Sequence, residues 1–421
     1  MLIELYGSNY GCFRDEFRLS MVATGIEPDS ERGTIAVSID GEVEPLLLLR
    51  CIALYGPNAS GKSTLLRAAE AMADLLAKSS GYSSDLEVSH YEPFRLNATS
   101  RNEPVRLGVR AVIDGRVYDY SFGFDDTEFT NEVLVEIGPS ATTTLFHRNG
   151  HVVQGPWTEH PQFGLLAAAF RPNALLLSLA DKVATSLASN IASGLRAALG
   201  TRYDYAHFGP PVALGDMSVA SRVKDDDSFG LWLRDRLRDA DVGIVDLHVR
   251  PMVRVLNKHA ESSSADPRRS YRLMFTHGGE SAAILPYSRE STGTRRLIQL
   301  APHLFDLTNP GIARTILVDE MDASMHPLLL RNIIKHINCD ASRDRMNGQL
   351  IFATHETGLM DGEARHGVLR RDQIYFTEKN SEGAARLYSL AEYSERNNLN
   401  IRKRYLQGRY GGLPLLGDYE D

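Results

Sequence analysis

Short apolar runs broken by polar turns open the chain and predict strands over residues 2–6, 17–21 and 34–39. Residues 46–55 are almost continuously apolar, the pattern of a strand buried on both faces of a sheet. Residues 62–76 follow, with Leu65, Leu66, Ala69, Met72, Ala73 and Leu76 close to a helical period. A glycine-rich stretch joins these two segments, so strand, loop and helix come in the order a phosphate-binding loop requires. Residues 105–113 and 117–124 read as strands around Asp114-Gly115, a dipeptide that favours a tight hairpin turn, and together predict an antiparallel flap. Helical patterning dominates from Gly164 to Ala240, notably over 184–199 and 229–237, and residues 258–270 form a polar, Ser- and charge-rich linker. From Tyr271 the alternation of strand and helix resumes, with helices over 294–307 and 327–337 and strands over 315–318, 349–353 and 373–377. The pattern predicts an α/β fold with a mixed β-sheet. Residues 1–155 and 271–421 would build one P-loop domain around a mainly helical insertion, 156–270, that is too short in heptads for a long coiled coil.

Composition narrows this picture only a little. The 421 residues are 43% hydrophobic and 24% charged, which fits a large globular domain with an insertion. No apolar stretch reaches the roughly 18–20 residues needed to span a bilayer, and the first residues lead into Arg14, Asp15 and Glu16 rather than a secretory leader. A cytoplasmic protein without membrane contact is expected. Cys12, Cys51 and Cys339 are too scattered for a disulfide framework or a zinc site. The net charge of -8 neither requires nor excludes DNA, because a basic patch can sit on an acidic whole.

The chemistry is concentrated in four places. Gly56-Pro57-Asn58-Ala59-Ser60-Gly61-Lys62-Ser63 fits G-x-x-x-x-G-K-[ST], whose backbone N–H groups wrap phosphates at the positive end of a helix. Lys62 would bridge the β- and γ-phosphates, Ser63 would give its hydroxyl to Mg²⁺, and Thr64 would lie near the α-phosphate. Apolar 315–318 runs into Asp319-Glu320, so that Asp319 can hold Mg²⁺ through water while Glu320 activates the attacking water. Ser291-Thr292-Gly293-Thr294 precedes a helix and offers Ser291, Gly293 and Thr294 as a second anion cradle, suited to a nucleotide bound by another copy. His355 follows a strand at the same sheet edge and can reach the γ-phosphate or the water; His326 is a further candidate at a subunit seam. The guanine-reading Asn-Lys-x-Asp is absent, since Asn257-Lys258 is followed by Ala260 where the aspartate belongs, which makes ATP the expected nucleotide.

The order of these motifs resembles the ABC-type ATPase superfamily, and Pro57-Asn58 is closer to its SMC and DNA-repair branch than to transporters. The chain is similar in wording to bacterial phage-defence ATPases of the RloA and AbiLi type, related to the ATPases of OLD, Septu and PARIS systems. Those proteins similarly carry Ser291-x-Gly293-Thr294, Asp319-Glu320-x-Asp322-x-Ser324-x-His326-Pro327, Thr354-His355, Arg371-Asp372-Gln373-Ile374 and a terminal segment like Gly408-Arg409-Tyr410-Gly411-Gly412-Leu413-Pro414. The resemblance implies an ABC-type head, ATP and Mg²⁺ clamped in a head-to-tail dimer or larger homo-oligomer, and hydrolysis that controls a separate nuclease-like effector in anti-phage defence. It also leaves open an SMC-like repair or recombination ATPase acting directly on DNA. Two departures stand out: Ser-Thr-Gly-Thr replaces the Ser-Gly-Gly signature, and no glutamine toward Mg²⁺ can be assigned, the region around Phe94-Arg95 being its neighbourhood. The residues after His355 are too few for a nuclease domain, and Asp225-Asp226-Asp227 reads as an acidic turn. Basic clusters at 365–371 and 402–409 would serve a partner, DNA or plain solvent, and Tyr405 and Tyr410 could anchor the tail.

Overall fold

The computed structural model describes residues 1–26, 32–159, 161–163, 166, 170–183, 186–203, 212–240, 242–252, 271–279, 282–308, 314–338, 347–361, 367–393 and 400–414. Cys339, the linker at 258–270, the Asn257-Lys258 pair and Arg365 lie outside them. The chain divides into two compact units: Met1–Tyr203, Asn309–Met321 and Arg331–Asp421 form unit 1, and Asp204–Thr308 with Asp322–Leu330 form unit 2.

Unit 1 begins with β1 (Leu2–Ser8), β2 (Phe17–Ser20), β3 (Thr34–Val37), β4 (Leu46–Leu49), β5 (Cys51–Tyr55) and α1 (Lys62–Lys78). Then come β6 (Val105–Ile113), β7 (Arg116–Phe124), β8 (Phe129–Ile137), β9 (Thr142–Asn149), β10 (Val152–Gln154), α2 (Leu176–Val183), α3 (Ser186–Leu199) and β11 (Thr201–Tyr203). Unit 2 supplies α4 (Val212–Asp225), α5 (Asp227–Asp239), β12 (Ile244–Pro251), β13 (Tyr271–His277), β14 (Ala283–Pro286) and α6 (Thr292–Leu307). The chain re-enters unit 1 with β15 (Thr315–Val318), passes through unit 2 once more over Asp322–Leu330, where α7 (Pro327–Ile337) begins, and continues in unit 1 through β16 (Gln349–Ala353), β17 (Ile374–Lys379), β18 (Ala385–Ser389) and α8 (Ile401–Leu406).

Two large sheets and the antiparallel β3-β4 pair build unit 1. One is mixed, in the order β11-β15-β16-β5-β17-β18, parallel throughout except for β18. The other is antiparallel, β10-β9-β8-β7-β6-β1-β2, so the expected flap is the middle of a seven-stranded sheet that also takes in the first two strands. The hairpin falls where Asp114-Gly115 places it: both residues have positive φ, 47° and 78°, and Ile113 pairs with Arg116. Helix α1 is amphipathic: Leu65, Leu66, Ala68, Ala71, Met72 and Leu75 are buried, while Ser63, Glu70 and Lys78 lie on an exposed polar stripe.

The apolar run 46–55 does not make one strand. It breaks at Arg50, a fully buried arginine whose Nε donates to Thr34 O at 2.9 Å and Nη1 to Ile337 O at 3.2 Å. Before the break β4 pairs with β3, and after it β5 lies between β16 and β17. The unit boundaries also fall away from 155/156 and 270/271. Helices α2 and α3 belong to unit 1 because they pack on α1, β6 and each other, whereas in unit 2 α4 and α5 pack on the β12-β13-β14 sheet and α6 packs on α4 and α5.

A buried ion pair ties α2 into unit 1. Glu132 on β8 accepts hydrogen bonds from Leu176 N, Leu177 N and Tyr120 Oη and faces Arg148, both charged side chains being essentially inaccessible. Burial pushes the Glu132 carboxyl above its ordinary range, against the pull of Arg148 and the two amides. Glu132→Gln is expected to cost about 3 kcal/mol by stranding the Arg148 charge. A fall in the urea midpoint, partly restored by adding Arg148→Met, is the result to look for.

Candidate nucleotide site

Three parallel strands of unit 1 end at one sheet edge, and each carries part of the expected chemistry. β5 runs into Gly56, β16 into Thr354-His355, and β15 into Asp319-Glu320, with β16 between the other two. Neighbouring strands stand about 4.8 Å apart, so the acidic strand lies about 10 Å from the strand that feeds the loop. That spacing leaves room for a phosphate and a coordinated cation between them.

The loop has the backbone a phosphate cradle needs. Gly56, Ala59 and Gly61 take φ of 152°, 60° and 120°. A Cβ on Gly56 would stand 2.3 Å from Thr377 O, so only glycine lets the loop lie this close to β17. Ser60 is buried, with its Oγ 2.5 Å from Thr377 Oγ1, while Asn58, Ala59 and Ser63 are exposed. Lys62 is 8% exposed and lies along its own loop, donating from Nζ to Gly56 O at 2.8 Å and Pro57 O at 3.0 Å. Thr64 is buried one residue past Ser63, and the first turn of α1 contains no acidic side chain to compete with an anion.

The two carboxylates that follow β15 differ in exposure. Asp319 is 4% exposed and Glu320 is exposed. Glu320 adopts φ 48°, a left-handed conformation that disfavours a residue with a Cβ by about 1–2 kcal/mol. Directly after it, Met321 N donates to Ala353 O at 2.9 Å, which turns the chain back onto β16. His355 is exposed, and its surroundings are fixed: Thr354 Oγ1 accepts from Glu356 N at 3.0 Å, and Tyr55 Oη donates to Glu356 O at 3.1 Å. The residues fit Mg·ATP. Lys62 and the loop amides suit the phosphates, and Ser63 with the buried Asp319 carboxylate suits a divalent ion.

Ser291, Gly293 and Thr294 lie in unit 2. Ser291 is exposed and caps α6, its Oγ accepting from Thr294 N at 3.1 Å, and Thr294 is buried beneath it. Gly293 leans on the segment that follows the acidic strand, since a Cβ there would stand 2.6 Å from Ser324 O. His326, also in unit 2, is exposed and accepts from Leu328 N through Nδ1 at 3.2 Å, capping the start of α7.

The sequence reading missed several neighbours. Arg202 on β11 pairs with Asp319, and a cleft of about 470 Å³ opens beside Thr64, lined among others by Gly11, Cys12, Arg67, Phe94 and Lys379. Asn9 holds one lining residue, with φ 55° and its Oδ1 accepting from Phe94 N at 3.1 Å. The basic cluster at 365–371 is no surface patch where it is described: Arg370 and Arg371 are buried, and Arg370 pairs with Asp372. Tyr405 and Tyr410 are buried too, ringed around Phe376, as anchors of the terminal segment. Asp226, in the acidic turn, caps α5 through Phe229 N. Among the described residues no cluster of metal-ligating side chains exists, and no helix is long and apolar enough to cross a membrane.

A family model described as "AAA domain, putative AbiEii toxin, Type IV TA system" matches residues 51–361, from β5 and the P-loop to just beyond His355. The chain belongs to this family. The α/β architecture with its mixed sheet is therefore that of an AAA-type, ATPase-like domain. Among solved structures, the chain is similar to the SMC head domain from Thermotoga maritima, at 12% identity and a TM-score of 0.38, over 92% of this chain and 98% of that one. Among curated proteins none matches the chain. The family match reaches the AAA level and does not single out the RloA and AbiLi branch.

Proposed function

We propose that this AAA-family chain is an ATPase that binds Mg·ATP at residues 56–64 and hydrolyses it in a site completed by a second copy. The observation that carries this reading is the gathering of Lys62, Asp319, Glu320 and His355 at one edge of the mixed sheet. The loop amides and Lys62 hold the phosphates, and the cleft beside Thr64 receives the base and ribose. Ser63 and Asp319 would hold Mg²⁺, whose chemistry there would be charge neutralisation of phosphate oxygens. Glu320 orients the attacking water and takes its proton, while His355 donates to the γ-phosphate. Ser291, Gly293 and Thr294 present the amide end of α6 to the nucleotide of the other copy, which makes the assembly head-to-tail.

Turnover would in turn control a separate nuclease-like effector in anti-phage defence, as the resemblance of the motifs implies; the family description itself names a toxin and a TA system and no nuclease. Capture of partners by the Glu320→Gln protein with ATP, against the same bait without nucleotide, tests this part. An ATP-dependent nuclease partner is expected; recovery of DNA alone favours the direct DNA-acting reading.

The shared site has its own check. Specific ATPase activity should rise with protein concentration, and Ser291→Arg should lower it about a hundredfold while nucleotide binding persists. Full activity in that variant, independent of concentration, would refute the shared site.

A further inference from the structure

Arg202 is the middle residue of β11, the edge strand of the mixed sheet, and its side chain is 8% exposed. Its guanidinium spans two carboxylates. Nη2 donates to Asp319 Oδ2 at 3.3 Å, and Nη1 donates to Glu70 Oε2 at 3.1 Å. The backbone holds the same neighbours together, because Asp319 N donates to Tyr203 O at 2.9 Å. The two carboxylates differ in setting: the Asp319 side chain is 5% exposed and that of Glu70 is 46% exposed. Glu70 and Ser63 are both on α1, two helical turns apart and so on one face. Arg202 therefore stands between the carboxylate that would serve the metal and a second carboxylate on the helix that carries the P-loop.

The geometry points to Arg202 as a positioning residue that competes with Mg²⁺ for Asp319 and passes to Glu70 when Mg·ATP binds. This inference rests on the assignment of the nucleotide site to residues 56–64 and Asp319. A buried carboxylate needs a counter-charge, and without nucleotide Arg202 supplies one and holds the Asp319 side chain in place. A dication at Asp319 would supply a larger counter-charge and repel the guanidinium. Glu70 gives that guanidinium somewhere to go without stranding it. Arginine suits the task because its planar fork carries five donors and can hold two carboxylates at once, which a lysine cannot do from one point charge. Metal then enters best together with the nucleotide, whose phosphates supply its remaining ligands. The exchange also moves charge one residue away from Tyr203, where the chain leaves unit 1 for unit 2.

The test is a Mg²⁺ titration of the binding of a fluorescent ATP analogue to the full chain, read as the Mg²⁺ midpoint and not as turnover. Arg202→Met removes the competitor and should lower that midpoint about tenfold. Glu70→Gln removes the alternative partner, leaves Arg202 on Asp319 and should raise it by a similar factor. Arg202→Lys should fall between wild type and Arg202→Met. A purely structural trio would weaken binding in every variant, so shifts in the same direction, or none, overturn the proposal. If Arg202→Met does not fold, Glu70→Gln decides, and an unchanged or lowered midpoint overturns it. Failure of the underlying site reads differently: the wild-type chain would bind no analogue at any Mg²⁺ concentration, or its binding would survive Lys62→Ala, and the proposal would fall with it.

Discussion

Lys62→Ala is expected to weaken ATP binding by about a hundredfold or more, measured by titration calorimetry on the full chain. Lys62 is the only charged side chain of the loop, and it is held at its mouth by the carbonyls of Gly56 and Pro57. In the proposed site an ammonium so placed would meet the β- and γ-phosphates as a charge-assisted donor in a partly desolvated setting, where such a contact is strongest. The variant should still fold. Alanine is a better helix former than lysine at the start of α1, and the two lost hydrogen bonds cost about 1 kcal/mol each. Lys62→Arg should also fail to restore binding, because a planar guanidinium does not follow the path between the two carbonyls. A dissociation constant within threefold of wild type in Lys62→Ala would remove the P-loop assignment.

The parts of the site legible in the sequence were those whose chemistry is written locally. A glycine at 56, a lysine at 62 and a hydroxyl at 63 need each other within a few residues, so their spacing survives in the linear order. The strand ending in Asp319-Glu320 was legible for the same reason, as was the hairpin at Asp114-Gly115, where positive φ selects the residue types. The Arg50 break was not legible. Its cause is a pair of distant carbonyls, Thr34 O and Ile337 O, which a run of leucines and isoleucines does not announce.

Arg202 was hidden in a related way. It sits in a three-residue strand whose pairing with β15 joins positions more than a hundred residues apart, and a lone arginine in a polar stretch carries no periodic signal. The cleft beside Thr64 gathers residues from both ends of unit 1, including Gly11, Phe94 and Lys379, so no contiguous motif exists to find. The arginines at 370 and 371 misled in the opposite sense. Charge density in a sequence reads as surface, yet Arg370 is enclosed, pairing with Asp372 and donating to Arg32 O and Thr24 O. Helices α2 and α3 went to the insertion because amphipathic period reveals that a helix is buried, not which sheet buries it.

Glu320→Gln is the second large effect, and it separates chemistry from binding. Removing a positioned general base lowers turnover by about 10²–10⁴-fold, while glutamine keeps the size and the hydrogen-bonding reach of the side chain. Affinity for ATP should hold or rise, because the variant removes the negative charge that the proposed site sets against the γ-phosphate. Turnover then no longer releases the assembled state, so light scattering with ATP should show a stable oligomer that the wild type forms only transiently. The backbone supplies a further handle. Glu320 holds φ 48° at a cost that glycine would not bear, so Glu320→Gly should raise the melting temperature slightly and still abolish hydrolysis. Strain kept at an exposed carboxylate is accounted for if its direction matters more than its stability. Wild-type turnover in Glu320→Gln, with the protein folded and ATP bound, would take Glu320 out of the mechanism and leave the strain at this position without a function.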